Sequence, residues 1–239
     1  MTARLTRGAG GPKRLRELLD SGETIVAPGA FDPLAARLVE EAGFPAVYMT
    51  GFGTSAALLG RPDVGLLTMT EMAGNAGRIA ACVDIPVIAD ADTGYGNPLN
   101  VIRTVGAYET AGVAGIHIED QVAPKKCGHM EGKQVIAPDE MAQKVRAAAD
   151  ARFDKDFVII ARTDARAVEG LDRALERAAA GHGRGGWDRS PHRVRRRVPD
   201  HDRRQGRRRD RGQRRPLHPG HGRSQGRPGG RPVVSGVPS

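Results

Sequence analysis

The feature that most constrains the fold is an alternation of short apolar runs with longer helix-like segments along the first 180 residues. Runs of four or five residues, rich in β-branched side chains, are typical of strands buried on both faces of a sheet. We predict strands at Thr24–Ala27, Ala46–Met49, Pro86–Ala89, Ala114–Ile118 and Phe157–Ala161. Because helix-like segments separate them, the chain is predicted to be of the α/β class with a parallel sheet.

The helix-like segments carry recognisable start and stop signals. We predict helices at 11–21, Pro33–Ala42, Thr70–Ala81, Pro98–Ala111, Pro138–Ala151 and Leu171–Ala180. Pro33, Pro98 and Pro138 occupy the first turn, where a helix tolerates proline. Gly43 and Gly112 follow the last helical residues, where glycine commonly ends a helix. Together these segments give five βα units in a row.

Five βα units are compatible with an open doubly wound sheet and with a closed eight-stranded barrel. Polar residues follow nearly every predicted strand: Thr50-Gly51, Asp90, Asp92, Glu119-Asp120, Arg162 and Asp164. A doubly wound sheet concentrates its site at one switch point, whereas a barrel draws on many strand ends. No GxGxxG follows the first strand, which argues against a dinucleotide site. The pattern favours a (β/α)8 TIM-barrel type, truncated after about five units.

The loop PVIADADTGYG at residues 86–96 ends a strand in two carboxylates, Asp90 and Asp92. Two nearby carboxylates without a Lys or Arg in the loop suit a hard cation such as Mg²⁺. Glu119 follows the next strand in the same way, and Asp63 lies in the loop GRPDVG. For a single acid, capping a helix or turning a loop is the simpler explanation. Converging acids repel one another, however, and this favours a compensating cation.

A second reactive segment is PKKCGH at residues 124–129. Cys127 could be a buried small hydrophobic residue, but Lys125, Lys126 and His129 would stabilise its thiolate and make it a proton donor or acceptor. Arg162 ends an apolar strand, where its guanidinium suits a two-pronged grip on a substrate carboxylate. The alternative for Arg162 is an ion pair with a neighbouring acid such as Asp164.

The composition changes sharply at about Gly181. Residues 1–180 hold 20 Lys and Arg against 24 Asp and Glu, whereas residues 181–239 hold 17 Arg and 4 Asp and contain no Ala, Lys, Glu, Ile, Met or Phe. The net charge of +9 therefore comes from the tail and does not indicate a nucleic-acid-binding protein. We divide the chain into a barrel-type part, 1–180, and an Arg/Gly/Pro-rich tail, 181–239, which we interpret as disordered or as a frameshift product.

Cys82 and Cys127 are too few for a disulfide framework in a chain of this size. The chain opens with no signal-peptide pattern, and no apolar run is long enough to cross a bilayer. We expect a cytoplasmic protein without a membrane partner and without a specific nucleic-acid partner.

These motifs resemble the isocitrate lyase and phosphoenolpyruvate mutase superfamily, most closely its 2-methylisocitrate lyase-like branch. The resemblance covers about residues 15–180 and rests on APGAFDPLAARL, TGFG, ADADTGYG, GIHIED, KKCGH and ARTDA. It implies Mg²⁺, with Mn²⁺ as an alternative, held most directly by Asp90, with Asp63, Asp92 and Glu119 acting mainly through water. It implies Cys127 as the acid/base thiol. The implied substrate contacts are Thr50, Gly51, Phe52, Asp90, Gly128, His129 and Arg162.

The resemblance further implies reversible carbon–carbon cleavage of a small 2-hydroxy di- or tricarboxylate, releasing a 2-oxo acid such as pyruvate or glyoxylate. Members of the superfamily that process phosphonates lack the cysteine in this loop, so KKCGH favours a lyase. A phosphonomutase-like enzyme and a catalytically inactive truncated member are the alternatives. Thr50 replaces the serine common in the lyases, which leaves the substrate preference open. Intact members are expected to be homotetramers that exchange a helix between subunits.

Overall fold

The computed structural model describes residues 11–180, and these residues form a layer of parallel strands with helices packed against it. The strands are β1 (Gly29–Ala30), β2 (Val47–Met49), β3 (Val87–Asp90), β4 (Gly115–Glu119) and β5 (Val158–Arg162). The helices are α1 (Pro12–Asp20), α2 (Pro33–Glu41), α3 (Gly51–Leu59), α4 (Met69–Cys82), α5 (Pro98–Ala111), α6 (Pro138–Asp150), α7 (Ala165–Val168) and α8 (Leu171–Ala180). The interpretation of residues 181–239 as disordered or frameshifted lies outside the described residues.

The order of the strands in the sheet is β1-β2-β3-β4-β5, and every neighbouring pair is parallel. Each new strand is therefore added on the same side of the previous one. A doubly wound sheet reverses this direction at its switch point, whereas a barrel keeps it throughout. Within the described residues the topology is that of a barrel, as the distribution of polar residues predicts.

The first strand lies further along the chain than predicted. The prediction of a strand at Thr24–Ala27 is wrong, because pairing with β2 begins only where the Tyr48 N–H donates to the Pro28 carbonyl at 2.9 Å. In the register of β1 and β2, Gly29 lies opposite Tyr48, so residues 24–27 extend beyond the start of β2 and have no strand beside them. Val26 is 53% exposed, as expected for a residue outside the sheet.

Helix α3 is not among the helices predicted from the sequence. Thr50 is the N-cap of this helix, and its hydroxyl accepts a hydrogen bond from Gly53 N at 3.3 Å. Gly60, with φ of +62°, ends it. Two glycines in the first turn weaken the helix signal, but they allow the chain to approach the strand ends closely.

The apolar core lies between the sheet and helices α2, α4, α5 and α6. Met49, Ile116 and Ile118 are fully buried on the strands, and Met72 and Ile79 of α4 pack into the same cluster. All five residues of β4 are buried, which identifies it as a central strand. No helix among the described residues is long and apolar enough to cross a membrane.

Candidate active site

The carboxyl ends of the strands gather acidic side chains at one rim of the sheet. Asp90 ends β3 and Glu119 ends β4, as the sequence predicts. A Cβ atom on Gly51 would lie 2.6 Å from Asp90 Oδ2 and 3.5 Å from Asp63 Oδ2, so both carboxylates flank the start of α3. Only glycine leaves room for this approach.

Asp90 is the most connected of these acids. Its Oδ2 accepts hydrogen bonds from the Tyr48 hydroxyl at 3.1 Å and from Gly51 N at 3.2 Å. Its Oδ1 accepts from Asp92 N at 2.9 Å and lies 3.1 Å from His117 Nε2. Burial by itself would raise the pKa of Asp90, but His117 and the Lys125 charge outweigh it and hold that pKa well below its usual value. Asp90 is therefore a carboxylate at neutral pH.

A lysine from another loop lies between two of the acids. Lys125 Nζ is 2.5 Å from Asp63 Oδ1 and 2.7 Å from Asp92 Oδ1, and only 5% of its side chain is exposed. The loop 86–96 itself contains no Lys or Arg, but Lys125, from the segment after β4, supplies a cation to Asp92. Burial alone would lower the pKa of Lys125, yet the charges of Asp92 and Asp90 raise it above its usual value. This ion pair anchors one end of the KKCGH segment to the rim.

A second group of ion pairs lies at the ends of β4 and β5. Arg162 Nη1 lies 2.8 Å from Glu119 Oε2, and Arg162 Nη2 lies 3.0 Å from Asp164 Oδ2. Glu119 Oε1 is buried and has no hydrogen-bond partner among the described residues. Arg162 thus forms the ion pairs considered as one alternative. Its side chain is also 21% exposed, which is compatible with the other alternative, a contact with a substrate carboxylate.

Negative charge exceeds positive charge at the rim, and the pKa values reflect it. Burial and the Asp90 charge raise the pKa of Asp92 to about 6, against the opposing effect of Lys125. Burial also raises the pKa of Glu119 to about 8, although Arg162 opposes the shift. Four carboxylates thus share two cations, since Lys125 pairs with Asp63 and Asp92 while Arg162 pairs with Glu119 and Asp164. Such a cluster suits an additional cation.

The segment that carries Cys127 is held in place by the side chain of Gln121. The buried Gln121 side chain accepts from Lys126 N at 2.9 Å and donates to the Lys126 carbonyl and to Asp164. Cys127 Sγ lies 3.5 Å from His129 Nδ1. Neither of the two lysines predicted to stabilise the thiolate has Cys127 as its partner. Lys125 is paired with acids, and Lys126 Nζ donates to the carbonyls of Glu131 and Gly132.

The predicted substrate-contacting residues lie around this rim. Thr50 and Gly51 begin α3, and Phe52, 53% exposed, follows them. A Cβ on Gly128 would lie 3.1 Å from Arg162 Nη2, which places the KKCGH segment against the end of β5. Exposed His129 is brought to the same place by its contact with Cys127.

Two residues of the rim were not proposed from the sequence. The Tyr48 and His117 rings stack with centroids 5.3 Å apart, and the Tyr48 hydroxyl lies 2.9 Å from His117 Nδ1. Both therefore position Asp90. A signal was present for His117, because a histidine within the buried strand GIHIE needs a polar partner. Tyr48 carried no such signal, since tyrosine is common in strands.

The donor set fits a magnesium ion held partly through water. Within residues 11–180, no group of three or more His, Cys, Asp or Glu side chains is arranged to hold one ion directly. Mg²⁺ usually keeps several waters and takes one or two carboxylates. Ionised Asp90 and the unpaired Glu119 Oε1 supply oxygen acceptors of that kind at neighbouring strand ends. Asp92 and Asp63 have Lys125 as their partner.

The comparisons with known proteins agree with this architecture. Residues 15–182 match the phosphoenolpyruvate phosphomutase family. The chain is 57% identical over 167 residues to 2,3-dimethylmalate lyase of Eubacterium barkeri, covering 70% of this chain and 58% of that protein. It is 53% identical over 168 residues to probable 2-methylisocitrate lyase 2 of Corynebacterium glutamicum, covering 70% and 54%.

Two solved structures show the same fold. Oxaloacetate acetylhydrolase in complex with 3,3-difluorooxalacetate matches with a TM-score of 0.70 and 46% identity, over 74% of this chain and 61% of that chain. Phosphonopyruvate hydrolase in complex with oxalate and Mg²⁺ matches with a TM-score of 0.67 and 38% identity, over 72% and 59%. The chain thus spans less than two thirds of the length of each of these proteins, and within that span it belongs to the phosphoenolpyruvate phosphomutase family, in the isocitrate lyase superfamily of barrel-type enzymes.

Proposed function

We propose that this chain carries the metal-binding and proton-transfer part of a Mg²⁺-dependent carbon–carbon lyase. The substrate class is a small 2-hydroxy di- or tricarboxylate resembling 2-methylisocitrate, and the product is a 2-oxo acid such as pyruvate or glyoxylate. The observation that carries the proposal is the position of the KKCGH segment. Lys125 ties one end of it to Asp63 and Asp92, and Gly128 lies against Arg162, so Cys127 is held beside the acidic rim.

In this proposal the acidic residues of the rim bind the cation, and its hydrogen-bond donors bind the substrate. Asp90 would hold Mg²⁺ most directly, with Asp92, Glu119 and Asp63 around it. When bound, the ion would chelate the forming oxo acid and stabilise negative charge on its oxygens. Arg162 and the N–H groups at the start of α3 suit the substrate carboxylates, because they are donors at the edge of the same rim.

Proton transfer to the carbanion is assigned to Cys127. When the carbon–carbon bond breaks, the hydroxyl group loses its proton to a carboxylate of the rim, its carbon becomes the carbonyl carbon of the oxo acid, and the electron pair of the broken bond stays on the other fragment. That carbanion takes a proton from Cys127 Sγ, and the reverse reaction returns it. Contact with His129 gives the thiol a neighbour that can exchange protons with it.

The proposal is tested by joining residues 1–180 to the C-terminal part of the Eubacterium barkeri dimethylmalate lyase, which supplies the length that this chain does not span. We expect this chimera to release pyruvate or glyoxylate from 2-methylisocitrate, 2,3-dimethylmalate or isocitrate only with Mg²⁺. The 239-residue chain, purified in high salt, serves as the comparison and is expected to show far lower turnover. Cleavage of phosphonopyruvate, with no turnover of the hydroxy acids, would instead support the phosphonate-processing alternative named by the family.

The pKa values predict how cation binding depends on pH. Because the pKa of Glu119 is about 8 and that of Asp92 about 6, a proton occupies Glu119 and about half of the Asp92 carboxylates at pH 6 and competes with a divalent cation. Raising the pH from 6 to 8 should strengthen Mg²⁺ binding by about tenfold per unit for each proton released. Titration calorimetry in two buffers of different ionisation enthalpy measures that proton release. Glu119→Gln should flatten the dependence, and an affinity that does not change with pH would contradict the assignment.

A further inference from the structure

The loop of residues 91–96, between β3 and α5, has an unusual backbone. Asp92 has φ of +46° and Tyr95 has φ of +60°, and both are in the left-handed region that side chains other than glycine rarely adopt. Such a backbone conformation is strained for a residue other than glycine, and it persists only where surrounding contacts fix it. The loop carries the Asp92 carboxylate, so whatever fixes its backbone also orients that acid.

Five consecutive carbonyls of this region are each held by a separate donor. The Asp90 carbonyl accepts from the Tyr108 hydroxyl at 2.9 Å, and the Ala91 carbonyl accepts from Gly94 N at 2.9 Å. The Asp92 carbonyl accepts from Glu119 N at 2.8 Å. The Thr93 carbonyl accepts from Lys144 Nζ at 3.3 Å, and the Gly94 carbonyl accepts from Thr104 Oγ1 at 3.1 Å. The donors come from β4, α5, α6 and the loop itself.

Lys144 is the unexpected member of this set. It lies in the middle of α6, is 4% exposed, and directs its ammonium at the Thr93 carbonyl. Its nearest acid, the half-exposed Glu140, is 4.0 Å away on the same helix. Burying an ammonium against a neutral carbonyl is costly, and burial accordingly lowers the pKa of Lys144. A methionine of similar length would fill the space between α5 and α6 without that cost.

We infer that Lys144 is a positioning residue, which holds the 91–96 loop through the Thr93 carbonyl and thereby orients Asp92 at the rim. The inference deepens the proposed magnesium site and rests on it. From α5, Tyr108 holds the Asp90 carbonyl just before the loop and Thr104 holds that of Gly94, whereas Lys144 holds the carbonyl at the centre of the loop from α6. Helix α6 follows the KKCGH segment in the chain. The Lys144 hydrogen bond therefore connects the helix after that segment to the 91–96 loop.

The test uses Lys144→Met in the 239-residue chain, with Lys144→Arg as the conservative variant. Hydrogen exchange of the Gly94 and Glu119 amides reports the loop directly, because both donate to its carbonyls. We expect these amides to exchange about tenfold faster in Lys144→Met. Mn²⁺ affinity, followed by electron paramagnetic resonance, should fall by about tenfold, the lower end of the usual effect of outer-shell residues. Lys144→Arg should restore both.

Arg152→Met is the matched control, because Arg152 also donates from a basic side chain to backbone carbonyls but does so after the end of α6. It should change neither readout. Unchanged exchange at Gly94 and Glu119 in a folded Lys144→Met chain would overturn the inference, and so would equal effects in Arg152→Met. If the parent chain binds no Mn²⁺, the proposed magnesium site fails, while the exchange rates still decide the function of Lys144.

Discussion

Replacing Asp90 with asparagine is expected to abolish measurable binding of Mg²⁺ or Mn²⁺ to the chain. Asp90 is the acid whose pKa lies furthest below its usual value, so it supplies a full negative charge at every pH of interest. Asparagine keeps the shape of the side chain but removes that charge. It also turns a nitrogen toward donors that Asp90 now satisfies, among them Gly51 N and Asp92 N. We expect the affinity to fall by roughly 100-fold or more, beyond the usual effect of an outer-shell residue.

The control for this experiment is Asp139→Asn, which removes an exposed carboxylate from the first turn of α6. Binding of Mn²⁺ is followed by electron paramagnetic resonance, and far-ultraviolet circular dichroism checks that each variant is folded. An affinity within threefold of the parent chain in a folded Asp90→Asn variant would remove Asp90 from the metal site. A similar loss in Asp139→Asn would show that the signal reflects general charge and not a site.

Replacing Cys127 with serine should lower turnover in the chimera by roughly two to four decades, the usual scale of general acid/base catalysis. A serine hydroxyl fits the space of the thiol but gives up a proton far less readily. Because Cys127 is not a metal ligand in the proposal, binding of Mg²⁺ and pyruvate should stay nearly unchanged. Steady-state kinetics and calorimetry on the same preparations separate the two quantities.

The other free cysteine gives a matched control. Cys82 lies at the end of α4, where its thiol donates to the Ile79 carbonyl and not to any group of the rim. Cys82→Ser should therefore leave turnover within about twofold of the parent chimera, as a surface-like substitution does. Full activity in Cys127→Ser would take the thiol out of the mechanism. An equal loss of pyruvate affinity would indicate that Cys127 shapes the site and does not transfer the proton.

Much of the fold was predictable because its signals are local. Pro98, preceded by Asn97 as N-cap, and Gly112, with φ of +85°, begin and end α5 where the sequence indicates. The apolar runs of β3 and β4 can be recognised without knowing which strands lie beside them. A strand that is buried throughout, as β4 is, is apolar along most of its length. The first strand was misplaced because its position depends on the register against Tyr48, which is a property of two distant segments.

The candidate site was predictable only in part, for a related reason. Asp90, Glu119 and Arg162 were identifiable because each ends an apolar strand, and parallel strands bring their ends together. The partners were not identifiable. Lys125 lies in a loop whose path no local pattern fixes, and the thiol was assigned two lysines that bind elsewhere. The stacking of Tyr48 on His117 depends on β2 and β4 flanking β3, which the sequence of each strand alone does not specify.

The sequential order of the strands has a consequence for synthesis of the protein. Within residues 11–180, every strand pairs only with the strands next to it in the chain, so none of these pairings has to wait for a distant segment. The rim residues from Tyr48 to Asp164 can then assemble in vectorial order as the nascent chain leaves the ribosome, over roughly 6 to 23 s at ordinary elongation rates. On this route the acidic cluster would be assembled as soon as residue 164 has folded against the sheet.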